Sequence, residues 1–251
     1  MAKTKNVKDQ KDLINYVKDV AEKPKKTTKA SNKNTVKSNE SKFVVKYTFN
    51  LKDYLTQDEL TNQDVYNEYV SQLTPKYAHP GDIGMDITAI SVEYDDEYDR
   101  YIYHTGFYCE TPELTGCFVM PRSSNSKTEG YLCNGIGLAD TFIYRGELCL
   151  MFKNRTSLSQ KLDTRLLENY LDLPWYKKLF TKYSDFKNTQ YYCTKCELLG
   201  DIMNNAPYQV GERIGQLVWM KFPKVDMKLV NSVDDLSKTI RGAGGFGSTG
   251  K

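Results

Sequence analysis

The sequence predicts a mainly β domain, a sandwich or barrel of short strands, that carries helical insertions. From Gly81 to Phe152, short apolar or aromatic runs alternate with turn residues, as at Asp86 to Val92, Tyr101 to Tyr108, Cys117 to Met120 and Leu148 to Phe152. Strands at that spacing favour a sandwich or barrel over βαβ units. Leu158, Leu162, Leu166, Leu167, Tyr170 and Leu171 instead fall on one helical stripe, inside a segment, 155–210, that breaks the β pattern. A chain of 251 residues with 39% hydrophobic content sustains a core of modest size and shows no internal repeat.

Residues 1–42 hold 12 Lys against five acidic residues, a net of +7, which leaves 23 basic and 27 acidic residues, a net of −4, in the remainder. This tail is expected to be disordered. Its one apolar patch, Leu13, Ile14, Val17 and Val20, suits a short amphipathic helix too small to stand alone. Its lysines suit a tether for nucleic acid or a protein partner. Phe43 to Phe49 has strand composition and opens the globular part, 43–251. Residues 51–73 read as helical, with Thr56 before Gln57-Asp58-Glu59 as the capping signal. A second helical insertion is expected at about 155–205. Pro174 ends its first helix, and Trp175, Leu179, Phe180 and Tyr183 suggest a further helical turn or two. That insertion either packs a small core of its own or serves a partner or a subunit contact. Gly211 to Pro223 returns to strand character.

The chain has no apolar run near 18 residues and no apolar segment behind its Lys-rich start, so it is expected to be soluble and cytoplasmic, with no membrane partner. The six cysteines suit a reducing compartment. Cys193-Thr194-Lys195-Cys196 is a lone C-x-x-C, and the two histidines, His79 and His104, lie far upstream, so these thiols are read as packing or surface groups rather than a zinc site.

The stretch Leu132 to Glu147, LCNGIGLADTFIYRGE, carries the chemistry. Apolar runs at Gly135 to Ala139 and Leu148 to Phe152 flank a polar turn, which reads as a β-hairpin able to hold a base. Asn134 offers an amide to the Watson-Crick edge of a pyrimidine. Asp140, six residues on, offers a carboxylate to orient a water, and Tyr144 offers a ring to cover a sugar. Four more segments complete an ordered set: Pro80 to Ile87 (PGDIGMDI), Pro121 to Ser124 (PRSS), Gly211 to Val218 (GERIGQLV) and Arg241 to Gly250 (RGAGGFGSTG). The end of the last, GFGSTGK, fits the first seven positions of a P-loop, but neither a Ser or Thr nor a helix follows to hold metal and phosphate. A flexible Gly-rich arm, 238–251, is the better reading.

This ordered series resembles the five motifs of the homotrimeric dUTPase family, over roughly residues 43–50 and 74–251. The resemblance implies a jelly-roll-like β fold and hydrolysis of dUTP to dUMP and pyrophosphate, which controls the dUTP pool and supplies dUMP for dTMP synthesis. It also implies a homotrimer whose sites are shared between subunits. On the matching positions, Asp86 holds hydrated Mg²⁺ through water, Arg122 and Ser123 contact the phosphates, Gln216 reaches the phosphate chain, and Asp140 orients or deprotonates the attacking water. Asn134 and Tyr144 serve base and sugar. In the arm, supplied by a neighbouring subunit, Phe246 stacks on uracil, and Arg241, Ser248 and Thr249 bind the terminal phosphate, with Gly247 between them in the binding set. One departure stands out: Asp140 lies four residues before Tyr144 instead of three, with Ile143 where a second Asp is usual. A dCTP deaminase, the related alternative, would need a Glu where Met151 stands and an Arg where Lys127 stands. A trimeric scaffold or regulatory protein with weak or lost catalysis is the alternative from another class.

Overall fold

The computed structural model describes residues 43–235 and 237. The tail 1–42 lies outside the described residues, as does the arm with Arg241, Phe246, Gly247, Ser248 and Thr249. The chain divides into two units, up to Lys221 and from Phe222. In the first, ten antiparallel strands among the described residues form the mainly β, jelly-roll type of fold. They are β1 Lys46–Phe49, β2 Met85–Thr88, β3 Ser91–Asp95, β4 Arg100–His104, β5 Phe107–Glu110, β6 Thr115–Pro121, β7 Gly130–Leu132, β8 Gly137–Ala139, β9 Leu150–Asn154 and β10 Arg213–Lys221. One four-stranded sheet runs β2-β10-β6-β8, the other runs β3-β4-β9-β7, and β1 pairs with β5. In the second unit, Asn231 and Ser232 donate their backbone N–H groups to Asp235 Oδ2, both at 3.1 Å, around a short 3-10 turn at Val233–Asp235.

The chain switches sheets where the sequence reads as one continuous run. Ala89 and Ile90, both fully buried, separate β2 from β3. Their backbone groups pair outside both ladders: Gly211 N donates to Ala89 O at 2.8 Å and Ile90 N donates to His104 O at 2.8 Å. Thr105 and Gly106 likewise break the expected run 101–108 into β4 and β5. Gly106 sits at φ +62, and a Cβ there would lie 2.7 Å from Ile90 Cδ1, so both conformation and space require glycine. Ile87, Ile90, Tyr101, Tyr103, Phe107, Leu150, Phe152, Ile214 and Leu217 fill the interior between the sheets.

The expected hairpin over 132–147 is not formed. Its first arm becomes β8, which pairs with β6 (Cys117 opposite Ala139), whereas the second becomes β9, which pairs with β4 and β7 in the other sheet. The link between them starts as a helical-type turn, with the N–H groups of Ile143 and Tyr144 both donating to Asp140 O, at 2.9 and 2.8 Å. That wide turn carries the chain between sheets, which a tight two-residue reversal would not do.

The helices are α1 Gln57–Thr61, α2 Gln63–Leu73, α3 Leu158–Leu171, α4 Trp175–Phe180 and α5 Tyr183–Asp201. Thr56 forms the full capping box with Glu59, and Asn62, at the end of α1, caps α2. Segment 155–210 is tied to the sheet at both ends. Leu158 N donates to Asp99 Oδ2 at 2.8 Å. Tyr101 and Tyr103 hydroxyls donate to the carbonyls of Ile202 and Tyr208, each at 2.9 Å. Leu162 and Leu166 of α3 are buried, Tyr170 packs its ring on Tyr183 and Phe186 of α5, and Lys187 pairs with Asp163 at 2.6 Å. None of the described helices is long and apolar enough to cross a membrane.

Candidate active site

The Asp86 carboxylate gathers three side chains from separate parts of the chain. Arg122 Nε donates to Oδ1 at 2.9 Å, Gln216 Nε2 to Oδ1 at 3.3 Å, and Arg213 Nη1 to Oδ2 at 2.8 Å. Strand β10 runs between β2 and β6, which sets Gln216 opposite both Asp86 and Met120 and brings Arg122 to the end of the same ladder. Arg213 is the residue that sequence reasoning left unassigned. Side chains alternate along a strand, so positions 213 and 216 should face opposite sides. A bulge between Arg213 and Gly215 inserts one residue, Ile214, whose side chain is fully buried, and thereby returns Arg213 to the Asp86 face, opposite Thr88. The glycines beside it serve packing: a Cβ on Gly84 would press on Gln216 at 3.2 Å, and one on Gly215 would meet Leu150 Cδ2 at 2.5 Å.

Asp86 is buried, with 6% of its side chain exposed, whereas the Arg213 side chain is 52% exposed and Arg122 is 22% exposed. The guanidinium charges therefore offset the burial of the carboxylate and leave one positive charge in excess at the surface. Asp86, Arg122 and Arg213 line a concavity of about 1060 Å³ together with Lys76 and Lys127. Four Lys and Arg residues against two carboxylates, Asp86 and Glu212, make its lining favourable to an anion. Arg122 Nη1 also reaches Ser124 Oγ at 3.3 Å, so Ser124 lies nearer the cluster than the expected Ser123. Ser123 opens the 3-10 turn Ser123–Lys127, exposed to solvent and outside the lining of this concavity.

Asn134, Asp140 and Tyr144 come together elsewhere, around a cavity of about 690 Å³ whose walls include Leu138, Leu148 and Leu150. Asn134 and Asp140 are exposed. Gly137 keeps space beside the Asn134 amide, since a Cβ would lie 3.1 Å from Nδ2. The extra residue before Tyr144 is taken up in the turn on Asp140 O, and the Tyr144 hydroxyl donates to Glu147 O at 3.0 Å. Gly146 makes room for that ring as placed, since a Cβ would fall 2.2 Å from the Tyr144 hydroxyl. Met151 lines the same cavity, in place of the Glu that a deaminase would need. A carboxylate, an amide and a ring at an apolar-walled cavity can orient a water, read a polar edge and cover a flat or cyclic group. The two concavities share no lining residue.

Glu147, which the sequence reading passed over, braces the second cavity. Its Oε1 accepts from the backbone N–H groups of Thr105 and Gly106, at 2.8 and 2.6 Å, while Oε2 pairs with His104 Nδ1 at 3.0 Å. The hydrogen bond to Glu147 raises the His104 pKa against the opposing effect of burial. For Glu147, burial acts to raise the pKa, but the hydrogen bonds from His104 and Gly106 and the charge on His104 bring it below the ordinary value. Cys193 and Cys196 are exposed on α5.

No family model matches the chain. Its sequence is similar to curated deoxyuridine 5'-triphosphate nucleotidohydrolases. One from Thermobifida fusca is 28% identical over 177 residues, 70% of this chain and 72% of that protein. One from Alkaliphilus metalliredigens is 28% identical over 177 residues, 70% of this chain and 88% of the relative. Among solved structures, the dUTPase of Staphylococcus bacteriophage 80alpha with dUPNHPP is 18% identical with a TM-score of 0.45, covering 83% of this chain and 99% of that one. The dUTPase of Streptococcus mutans is 16% identical with a TM-score of 0.41, covering 72% and 98%.

Proposed function

We propose that this chain, similar in sequence to curated dUTP nucleotidohydrolases, hydrolyses dUTP to dUMP and pyrophosphate at sites assembled from more than one copy. The observation that carries this reading is the convergence of three separated motif segments on one carboxylate. Residues from 80–87, 121–124 and 211–218 meet at Asp86, and their excess positive charge suits a polyphosphate. Arg122 binds and orients the phosphates, Gln216 reaches the chain of phosphates from the middle strand, and Asp140 orients the attacking water and takes its proton as it adds to the α-phosphorus. Asn134 reads the uracil edge, and Tyr144 covers the deoxyribose. Because Asn134, Asp140 and Tyr144 line one concavity and Asp86 and Arg122 another, a single chain holds the parts in two places. A homotrimer that apposes the first concavity of one copy to the second of the next accounts for both, with the arm residues Arg241, Phe246, Gly247, Ser248 and Thr249 closing over the nucleotide.

The donors on Asp86 also bear on the metal. A carboxylate offers about four acceptor positions, and Arg122, Gln216 and Arg213 use three, two on Oδ1 and one on Oδ2. The remaining position on Oδ2 can accept a water in the shell of Mg²⁺, in keeping with the few protein ligands that Mg²⁺ takes. When bound, Mg²⁺ supplies charge neutralisation on the phosphate oxygens.

Purified protein incubated with dUTP and Mg²⁺ is expected to release one pyrophosphate per dUMP formed. Absence of pyrophosphate at any Mg²⁺ concentration would refute the reading.

A further inference from the structure

Three donor atoms of different kinds face one another where β4 ends and the chain turns into β9. His104 Nδ1 lies 3.0 Å from Glu147 Oε2 and 3.6 Å from Cys149 Sγ, and all three donors fall within 4.8 Å of one another. Zinc bonds of about 2.0–2.1 Å to nitrogen and oxygen and about 2.3 Å to sulfur place tetrahedral N and S donors about 3.6 Å apart, and N and O donors about 3.3 Å apart. The first edge is matched and the second is within a few tenths of an ångström. The surroundings fit as well. The second oxygen of Glu147 is held by two backbone N–H groups, which fixes the carboxylate plane. The other ring nitrogen of His104, Nε2, lies 3.7 Å from Glu93 Oε1, so a second carboxylate stands on the far side of the imidazole. His104 and Glu147 keep only 22% and 17% of their side chains exposed.

The geometry points to a Zn²⁺ site formed by His104 Nδ1, Glu147 Oε2 and Cys149 Sγ, a site that does not depend on the hydrolase reading. Glu147 and Cys149 also line the cavity of Asn134, Asp140 and Tyr144, so the site adjoins that cavity. The mixed N, O and S set suits zinc, whereas Mg²⁺ would demand oxygen donors. Binding releases the proton held between His104 and Glu147 and the thiol proton of Cys149 to solvent, with no change of oxidation state. The ion would clamp the end of β4 to the lead-in of β9 and so stiffen one wall of the cavity.

The test uses the full chain stripped of metal and titrated with Co²⁺ and with Zn²⁺ against a chromophoric chelator. The expected result is one ion per chain, with the thiolate-to-cobalt charge-transfer band and intense visible bands of a tetrahedral site. Cys149→Ser should abolish the charge-transfer band, and both Cys149→Ser and His104→Gln should weaken Zn²⁺ binding by at least about tenfold, while Cys193→Ser/Cys196→Ser should bind as the parent does. Cys149→Ser is nearly isosteric, so circular dichroism matching the parent makes its result sufficient if His104→Gln does not fold. Absence of the charge-transfer band in the parent would overturn the site, since a hydrogen-bonded cluster alone gives none. Loss of the ion in Cys193→Ser/Cys196→Ser with retention in Cys149→Ser would overturn it too.

Discussion

The Asp86 cluster and the cavity of Asn134, Asp140 and Tyr144 differ in how far one chain completes them. Asp86 is buried, and the chain supplies two guanidinium groups and an amide to its oxygens. Asn134 and Asp140 stand exposed at the rim of their cavity. The first region is preorganised by three strands of one sheet, and the second lies where the chain passes from one sheet to the other. The Asp86 cluster, to which the proposed function gives phosphate binding, is thus built as part of the fold, so its substitution should cost stability as well as activity. Asn134 and Asp140, to which the proposed function gives base reading and water orientation, should be replaceable with little effect on the fold.

Substitutions in the two regions should therefore have different effects. Asp86→Ala should be the most damaging change. It removes the partner of two cations at a buried position, and breaking such a pair costs about 3–5 kcal/mol, here reduced because Arg213 is half exposed. Thermal melting should drop by several degrees and activity should disappear; an unshifted melting curve would mean that the cluster is not part of the fold's support. Asp140→Asn should lower dUTP turnover by roughly 10² or more with the melting curve unchanged, because the attacking water loses its base. Near-parental turnover would remove Asp140 from its role.

Selectivity should be uneven. If Asn134 reads the base edge, dCTP sets a donor against a donor, and discrimination of about 10⁴ or more in kcat/KM is expected. On the proposed reading ribose is excluded by packing against Tyr144; if the extra residue in the turn before it moves the ring, UTP should be used measurably and Tyr144→Ala should raise its relative use further. Equal use of dCTP and dUTP would contradict the role of Asn134, and complete rejection of UTP would show the Tyr144 ring to be unaffected by the extra residue.

The smallest effect concerns His104 and Glu147. The raised pKa of His104 contributes stability that is fully present below its ordinary value of 6.5 and is lost as the pH rises through the folded-state value. The lowered pKa of Glu147 contributes stability present above 4.5 and lost as the pH falls through its folded-state value. In metal-free protein, His104→Gln should therefore lower the melting temperature most near pH 6 and progressively less at alkaline pH. A difference independent of pH would assign His104 a packing role only.

Much of this was legible in the chain, and the exceptions have physical reasons. Thr56 and Glu59 announce α1, and the leucine stripe announces α3, because capping and burial leave local signatures. Helix α5 lies inside the helical insertion expected at about 155–205, but its one buried residue is Thr194, so no apolar stripe marks the bounds of its 19 residues. The strand runs were visible but their sheet switches were not, since Ala89 and Ile90 are as apolar as the strands that they separate. The expected hairpin failed for the same reason. Apolar arms say that two strands exist, not which sheet each joins. Among site residues, Asn134, Asp140 and Tyr144 lie close in sequence and were found together. Arg213 was hidden by the bulge, which reverses the alternation that a reader must assume. His104 and Glu147 meet across 43 residues, a distance over which spacing carries no information.

On the proposed function, dUTP is hydrolysed at sites to which one copy brings Asp140 and another brings Arg122. Co-expression of Asp140→Asn and Arg122→Ala chains, each expected to be inactive alone, tests it most directly through pyrophosphate release from dUTP. Random assembly of a cyclic trimer leaves about a quarter of the sites with both parental residues, so activity near that fraction of the parent is predicted. Mixed assemblies that remain as inactive as either variant alone would place both residues in a site within one chain and contradict the account.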